Sequence, residues 1–510
     1  MSHEAKNKSV KVGRKLYEIS DTQNIEQEII LPDYCKEIKK LLKCTLIPGI
    51  HSVSLSGEKA TAKGTGVIRV VYLGEGDEVD VFEKSCDLSS SVQMKDVPSA
   101  SAIKARQKTD FLNCRVMGQR KLLVSAGVST VFSCFCVGEE KYICESQKES
   151  IRTKTQKLEC EEISSFFEKT FDMSETVVLN TEHPSVGKII SCDSICTLES
   201  KKFSSGKLLL KGEVKIDICY LPEKTANTFH RMTHTMPISQ IIDIGEGSQN
   251  TEYDVALESK QLLCNLKSDS SGSNRLIELL LRVSAFITSF EKKHCEVITD
   301  CYCTDLEIET DYSQPDFYRP LRRIDEMTEQ KCEIDFSSPI KEICFAKCLE
   351  VSEKLNCSAN RATVSCSALI GIIYLDEKGI PSYCEKNADF EIAYSVMAKC
   401  RELSGNLDVD ALSVAVSPLG NEKAQVNLNC TVRGKLYCKH ESRILKKLSV
   451  LEDKPKKDKG AALTVYFPEK GEKLWDIARN HNTTVELIMQ ENGITDENDV
   501  RQQMLLIPCV

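Results

Sequence analysis

Tryptophan occurs once in the 510 residues and histidine only eight times, so a catalytic or metal-binding constellation built on imidazoles has little to draw on. No Gly-rich phosphate loop, no Gly-x-Ser-x-Gly elbow and no helix-borne carboxylate pair stands out, which removes the familiar signatures of nucleotide-binding and hydrolytic enzymes. His230 and His234 are four apart, but the residues between them lack the Glu of a zinc-protease motif, and the segment lies between strand-like runs. The close cysteine pairs, Cys134/Cys136, Cys192/Cys196, Cys301/Cys303 and Cys344/Cys348, lack the converging knuckle spacing of a structural zinc site. No catalytic residue, metal ligand or cofactor is therefore expected. Long apolar runs are lacking too: the most apolar stretch, Leu276 to Phe290, is broken by Glu278 and Arg282 and cannot cross a bilayer as a helix. Met1 to Lys15 is polar, without the apolar core of a signal peptide, so export by that route is not expected. A net charge of -9 gives no general attraction to nucleic acid or anionic lipid.

What is present is a chain of ordinary globular composition, 41% apolar and 28% charged, long enough for several cores. Its anomaly is 25 cysteines, roughly threefold above ordinary usage. In a reducing cytosol these thiols read as small buried hydrophobes.

The most informative internal pattern is Tyr-Leu at the end of an alternating apolar run, at Tyr72-Leu73, Tyr220-Leu221 and Tyr374-Leu375, 148 and 154 residues apart. Val214, Ile216 and Ile218 alternate with Lys215 and Asp217 in the second copy, as in a half-buried strand. A second alternating run follows each Tyr: Leu122 to Phe132, Leu279 to Ile287, and Val426 to Val432. A Pro and a short apolar stretch precede each: Pro32 to Ile38, Pro184 to Ile190, and Pro339 to Ile343. A period near 150 residues is far too long for a solenoid repeat, so each copy is expected to be a complete β-rich domain. Turns such as Gly74-Glu75-Gly76-Asp77 and Ser271-Gly272-Ser273 suit an antiparallel sandwich or open barrel.

The polar segments Glu149 to Glu162 and Asp311 to Glu329 are expected boundaries, giving β-rich repeats at 16–150, 160–310 and 325–450. Residues 452–460, Glu452 to Gly460, have mixed charge and no apolar residue, and read as a solvated linker that leaves the tail free to move. Residues 461–510 follow a different pattern. Leu463 to Phe467 is strand-like; Leu474, Ile477 and Ala478 share one helix face; Thr483 and Glu486 form a capping box for a second helix; Asn492-Gly493 stops it; and Met504 to Pro508 closes the sheet. The expected order is β, α, α, β.

Leu474-Trp475-Asp476-Ile477-Ala478, Thr483-Thr484-Val485, Glu491-Asn492-Gly493 and Leu505-Leu506-Ile507-Pro508 resemble a LysM domain. The resemblance implies a shallow groove for N-acetylglucosamine glycans between the loops Glu469 to Leu474 and Asn492 to Asp496. Candidate partner- or glycan-binding residues are Lys470, Gly471, Glu472, Lys473, Leu474, Trp475, Asn492, Gly493 and Ile494. Two positions depart from the family: Gly471-Glu472-Lys473 replaces Gly-Asp-Thr or Gly-Asp-Ser, losing a short cap, and Gln502 replaces a Gly. The module is acidic, with eight Asp/Glu against four Lys/Arg, which favours a basic protein surface over a neutral sugar. Trp475 reads equally as a partner-facing anchor and as a residue packed on its own sheet.

Three β-rich repeats followed by one LysM are similar to the SipL family of spore coat morphogenetic proteins, whose repeated unit is the SPOCS domain. The resemblance implies a non-enzymatic scaffold in the mother-cell cytoplasm, at the forespore surface or in the spore coat. Its LysM domain would engage the coat-basement ATPase, stage four sporulation protein A, with other coat proteins as further partners. In a dormant, oxidising shell the cysteines could also cross-link, although strain opposes pairing of thiols buried in strands. The alternative is a cell-wall protein whose LysM holds peptidoglycan. Neither reading involves nucleic acid or a transmembrane segment.

Overall fold

Alternation of apolar and polar residues over long stretches dictates strands, and strands dominate the computed structural model. It describes residues 5–225, 227–245, 248, 250–315, 317–397, 402–420, 422–456, 462–497 and 504–508, the side chain of residue 412 apart. The first repeat contains β1 (Ala5–Ile30), β2 (Lys40–Ser56), β3 (Lys59–Leu73), β4 (Val79–Gln93), β5 (Ala102–Gly118) and β6 (Lys121–Ser146). The second contains β7 (Ile151–Val178), β8 (Val186–Ser204), β9 (Lys207–Pro222), β10 (His230–Asp243), β11 (Glu252–Ser268) and β12 (Asn274–Cys303). In the third, both long strands are broken in two. It contains β13 (Leu306–Ser313), β14 (Tyr318–Asp335), β15 (Ile340–Ser358), β16 (Arg361–Asp376), β17 (Pro381–Ser395), β18 (Leu403–Pro418), β19 (Lys423–Lys439) and β20 (Ile444–Pro455).

Every repeat is a sandwich of two antiparallel three-stranded sheets. One is ordered first, last and penultimate strand (β1-β6-β5, β7-β12-β11, β14-β19-β18), and the other is a meander (β2-β3-β4, β8-β9-β10, β15-β16-β17). In the second repeat Leu208, Leu210, Val214, Ile216, Ile218 and Tyr220 of β9 face Ile277, Leu279, Leu281, Val283, Ala285 and Ile287 of β12. Each Leu or Ile so placed contributes about 1.5–3 kcal/mol over remaining exposed. The repeated tyrosine closes this core at the strand end: Tyr72 and Tyr220 are fully buried and Tyr374 is half-buried. Eight residues before the first two tyrosines, Gly64 and Gly212 lie opposite bulges in β2 and β8. A Cβ there would come within 1.9 Å of Gly49 O and 2.2 Å of Thr197 O, so only glycine fits.

The three repeats pack against one another at two places. Val71, Cys219 and Ile373, each immediately before its Tyr, meet in one apolar cluster. At the far end, the long strands run on past the sandwiches as two-stranded ribbons, β1 with β6, β7 with β12, and β13 with β20. Their inner faces meet through Val10, Val12, Tyr142, Leu158, Cys160, Cys295, Val297, Phe317 and Ile444. The polar segments expected as boundaries, Glu149 to Glu162 and Asp311 to Glu329, are largely these ribbons and their continuation into β14, and β1 already covers Ala5 to Lys15 ahead of residue 16. A ribbon buries one face only, so its sequence reads as solvated. Charges also bridge repeats: Lys104 and Arg106 reach Glu258 at 3.2 Å, and buried Lys260 donates to Ala105 O at 2.9 Å and pairs with Glu258 at 3.3 Å.

Candidate functional site

The C-terminal module packs two helices on a two-stranded sheet: β21 (Leu463–Tyr466), α1 (Leu474–Asn480), α2 (Val485–Asn492) and β22 (Leu505–Pro508). Leu474, Ile477, Ala478, Ile488 and Ile507 are fully buried between them. The cap of α2 is Thr484, whose Oγ1 accepts from Leu487 N at 3.2 Å, one residue after the expected Thr483. Thr483 is committed elsewhere, its carbonyl accepting the Tyr302 hydroxyl at 2.8 Å. Gly493 ends α2 in the left-handed region at φ 63°, as the Asn-Gly pair predicts. Gln502 lies outside the described residues.

The two loops expected to form a groove are held by internal bonds. Glu472 accepts from the Tyr466 hydroxyl at 2.9 Å and from Glu469 N at 3.1 Å, closing the first loop on itself and pushing the Tyr466 phenol up. Lys473 stands at the N-cap of α1 without a side-chain cap, the consequence of losing the Thr or Ser. Asn492 donates to Ile488 O and Leu506 O and accepts from Leu506 N at 2.6–2.7 Å, pinning the last strand to α2. Lys470, Gly471, Lys473 and Gly493 are exposed, Glu472, Asn492 and Ile494 are half-buried, and Leu474 lies in the module's core.

Trp475 is buried with the core of its own module and also reaches outside it. Its indole Nε1 donates to Asp300 Oδ2 at 2.7 Å, and its ring meets Tyr302 edge-on at 5.0 Å. Asp300 and Tyr302 are at the tip of β12, so the tryptophan clamps the module onto the second repeat. Arg479 of α1 pairs with the same carboxylate. Burial, with Glu486 adding to it and Arg152 opposing, pushes the Tyr302 phenol up to about 12. The mixed-charge run expected as a free linker takes part as well. Glu452 to Pro455 belong to β20, and Lys456 Nζ bridges Cys303 O at 2.8 Å and Asn482 Oδ1 at 3.1 Å; residues 457–460 lie outside the described residues. No sequence signal pointed to Asp300 and Tyr302, because a docking patch of two side chains has no period.

The other candidates fall elsewhere. His230 and His234 lie on β10, where His230 stacks on Tyr220 and His234 faces Glu175 at 3.2 Å. Among the described residues no cluster of His, Cys, Asp and Glu is arranged to hold a metal. Leu276 to Phe290 is strand, and among the described residues no helix is long and apolar enough to cross a membrane. Cys438 is disulfide-bonded; of the described free cysteines only Cys357 is exposed. Some buried thiols meet in pairs. Cys44 is hydrogen-bonded to Cys114 between the sheets of the first repeat, and Cys192 to Cys264 at the matching positions of the second.

The architecture is thus an array of β-sandwiches carrying a small βααβ module. Residues 469–507 match the LysM domain, and residues 185–267, spanning β8 to β11 of the second repeat, match the domain described as SipL, SPOCS domain. Both are non-catalytic binding domains, and in domain content the chain is SipL-like. No curated protein and no solved structure matches the chain.

Proposed function

We propose that the chain is a non-enzymatic scaffold that recruits spore coat protein to the forespore from the mother-cell cytoplasm. In this reading LysM binds the coat-basement ATPase, stage four sporulation protein A, and the three sandwiches hold that module in a fixed place. The SPOCS and LysM matches support a role in the spore coat or in wall binding. The observation favouring a protein partner over a sugar is the charge around the two loops: Glu469, Lys470, Lys473, Glu491, Asp496 and Glu497 are all exposed. Charges of both signs on a rim select among protein surfaces and gain little against a neutral glycan. The hydroxyl the family places beside the groove is replaced by Lys473, and the neighbouring Glu472 carboxylate is consumed inside its own loop.

The test is capture by the full chain of purified coat-basement ATPase and, separately, of insoluble peptidoglycan. Retention of the ATPase, reduced at least tenfold by the double substitution Lys470→Glu and Lys473→Glu, supports the reading. Sedimentation with peptidoglycan and no retention of the ATPase replaces it with the wall-binding alternative.

A further inference from the structure

We propose that Cys160 and Cys295 form an oxidation site, at which a hydroperoxide converts two facing thiols into an intrachain disulfide fastening β7 to β12 where the three repeats meet. The two sulfurs are 3.2 Å apart, and both residues are buried, at 1% and 3% exposure. In the ladder Cys160 is opposite Lys293 and Cys295 opposite Leu158, so the thiols are diagonal neighbours on one face of the ribbon. That face is the junction to which Val10 and Val12 of the first repeat and Phe317 and Ile444 of the third contribute. Cys144, at the rim of the same cluster, turns its thiol to Lys6 O at 3.3 Å and leaves the pair to itself.

The pair is chemically asymmetric. Either sulfur can donate across the 3.2 Å contact; with the proton held on Cys160, the Cys295 thiol is lowered against the opposing effect of burial, and the neighbouring Tyr142 hydroxyl adds to the lowering. Cys160 is correspondingly raised. Cys295 is therefore the nucleophile and Cys160 the resolving thiol. The Cys295 thiolate attacks one oxygen of hydrogen peroxide, the O–O bond breaks, and the departing hydroxide takes a proton and leaves as water. Cys160 then attacks the sulfenic sulfur, the S–S bond forms as the S–O bond breaks, and a second water leaves. Two thiols lose two electrons and two protons in all, and the peroxide is reduced to two waters. Hydrogen peroxide is uncharged and close to water in size, which suits a site closed to bulkier disulfide reagents. The product cross-links residues 135 apart and encloses both sheets of the second repeat.

The experiment treats the reduced full chain with increasing hydrogen peroxide, blocks remaining thiols with N-ethylmaleimide under denaturing conditions, and maps peptides after trypsin and Glu-C without reduction. The exposed thiol Cys357 reports that oxidant is effective. Cys160 and Cys295 should disappear together from the labelled pool, appear as one linked peptide, and return with dithiothreitol. In Cys160→Ser the sulfenic acid on Cys295 should persist and be captured by dimedone; in Cys295→Ser the linked peptide should be lost. Oxidation of Cys357 while Cys160 and Cys295 stay labelled in the unsubstituted chain overturns the proposal, whatever the variants do. A link from either cysteine to any other residue overturns it as well.

Discussion

Replacing Asp300 by Ala should release the LysM module from the body. The carboxylate accepts the Trp475 indole at 2.7 Å and pairs with Arg479. A hydrogen bond to a charged group contributes about 1.5–3 kcal/mol. The ion pair, with side chains 37% and 30% exposed, adds at most about 1 kcal/mol. The sum, about 2–4 kcal/mol, shifts the docked–undocked equilibrium roughly 30- to 1000-fold. Docking then rests on the Tyr302–Thr483 bond and the edge-on ring contact, itself about 0.5–1.5 kcal/mol. Because Trp475 is the only tryptophan, its emission reports this contact and nothing else. Asp300→Ala should shift that emission to the red, raise its quenching by acrylamide, and speed proteolysis between residues 456 and 462. Asp300→Asn keeps an oxygen to accept the indole proton but loses the ion pair and the charge on the acceptor, so it should move the same readouts in the same direction by a smaller amount. Unchanged emission and unchanged cleavage in Asp300→Ala would show that the tail is not clamped at this point.

Acid should loosen the contact between the first two repeats. Burial alone would raise the Glu258 carboxyl, but Lys104, Lys260 and Arg106 hold it down at about 2. A carboxyl held below its unfolded value of 4.5 stabilises the fold above that pH, and the contribution is lost as pH falls from 4.5 towards 2. Urea midpoints measured from pH 7 to pH 2 should fall by the equivalent of about 2–3 kcal/mol more in the unsubstituted chain than in Glu258→Gln; equal slopes would remove Glu258 from the acid response. Gly212→Ala drives a methyl against Thr197 O and should cost about 1–3 kcal/mol in urea unfolding of the second repeat. A midpoint within error of the unsubstituted chain would mean that the bulge in β8 yields.

The central strands were legible because period-two alternation is a direct consequence of pleating: every second residue of β9 from Leu208 to Tyr220 faces inward, Gly212 among them. The same alternation, recurring with Tyr-Leu at its end, pointed to three β-rich units and left sandwich and open barrel, and the strand order, undecided. Gly64 and Gly212 fall in register with that tyrosine, and the recurrence of glycine there was a visible sign of a bulge opposite. The ribbons were not legible. In β7 only scattered residues such as Ile151, Leu158 and Cys160 are buried in the outer half, and such a strand has the composition of a boundary. The LysM helices were readable from their caps and apolar faces, with one slip between adjacent threonines. Either Thr483 or Thr484 can cap α2, and the choice is tied to the Thr483 carbonyl, which bonds to a tyrosine 181 residues earlier.

That long-range bond bears on how the proposed scaffold would work. A module on a flexible tether searches a volume and pays an ordering cost when it engages; a module clamped to a rigid body presents its loops in one direction and avoids part of that cost. Here the clamp draws on α1 and the α1–α2 turn through Trp475, Arg479, Asn482 and Thr483. The exposed loop residues Lys470, Lys473 and Glu497 lie outside these contacts. Docking and partner binding are thereby separable by mutation: substitutions at Asp300 or Tyr302 should alter the rigidity of presentation, and substitutions in the loops should alter affinity. A variant released at Asp300 that still captures its partner, more weakly and with a slower association rate, would separate the two roles. Loss of capture without any change in Trp475 emission would assign both roles to one surface.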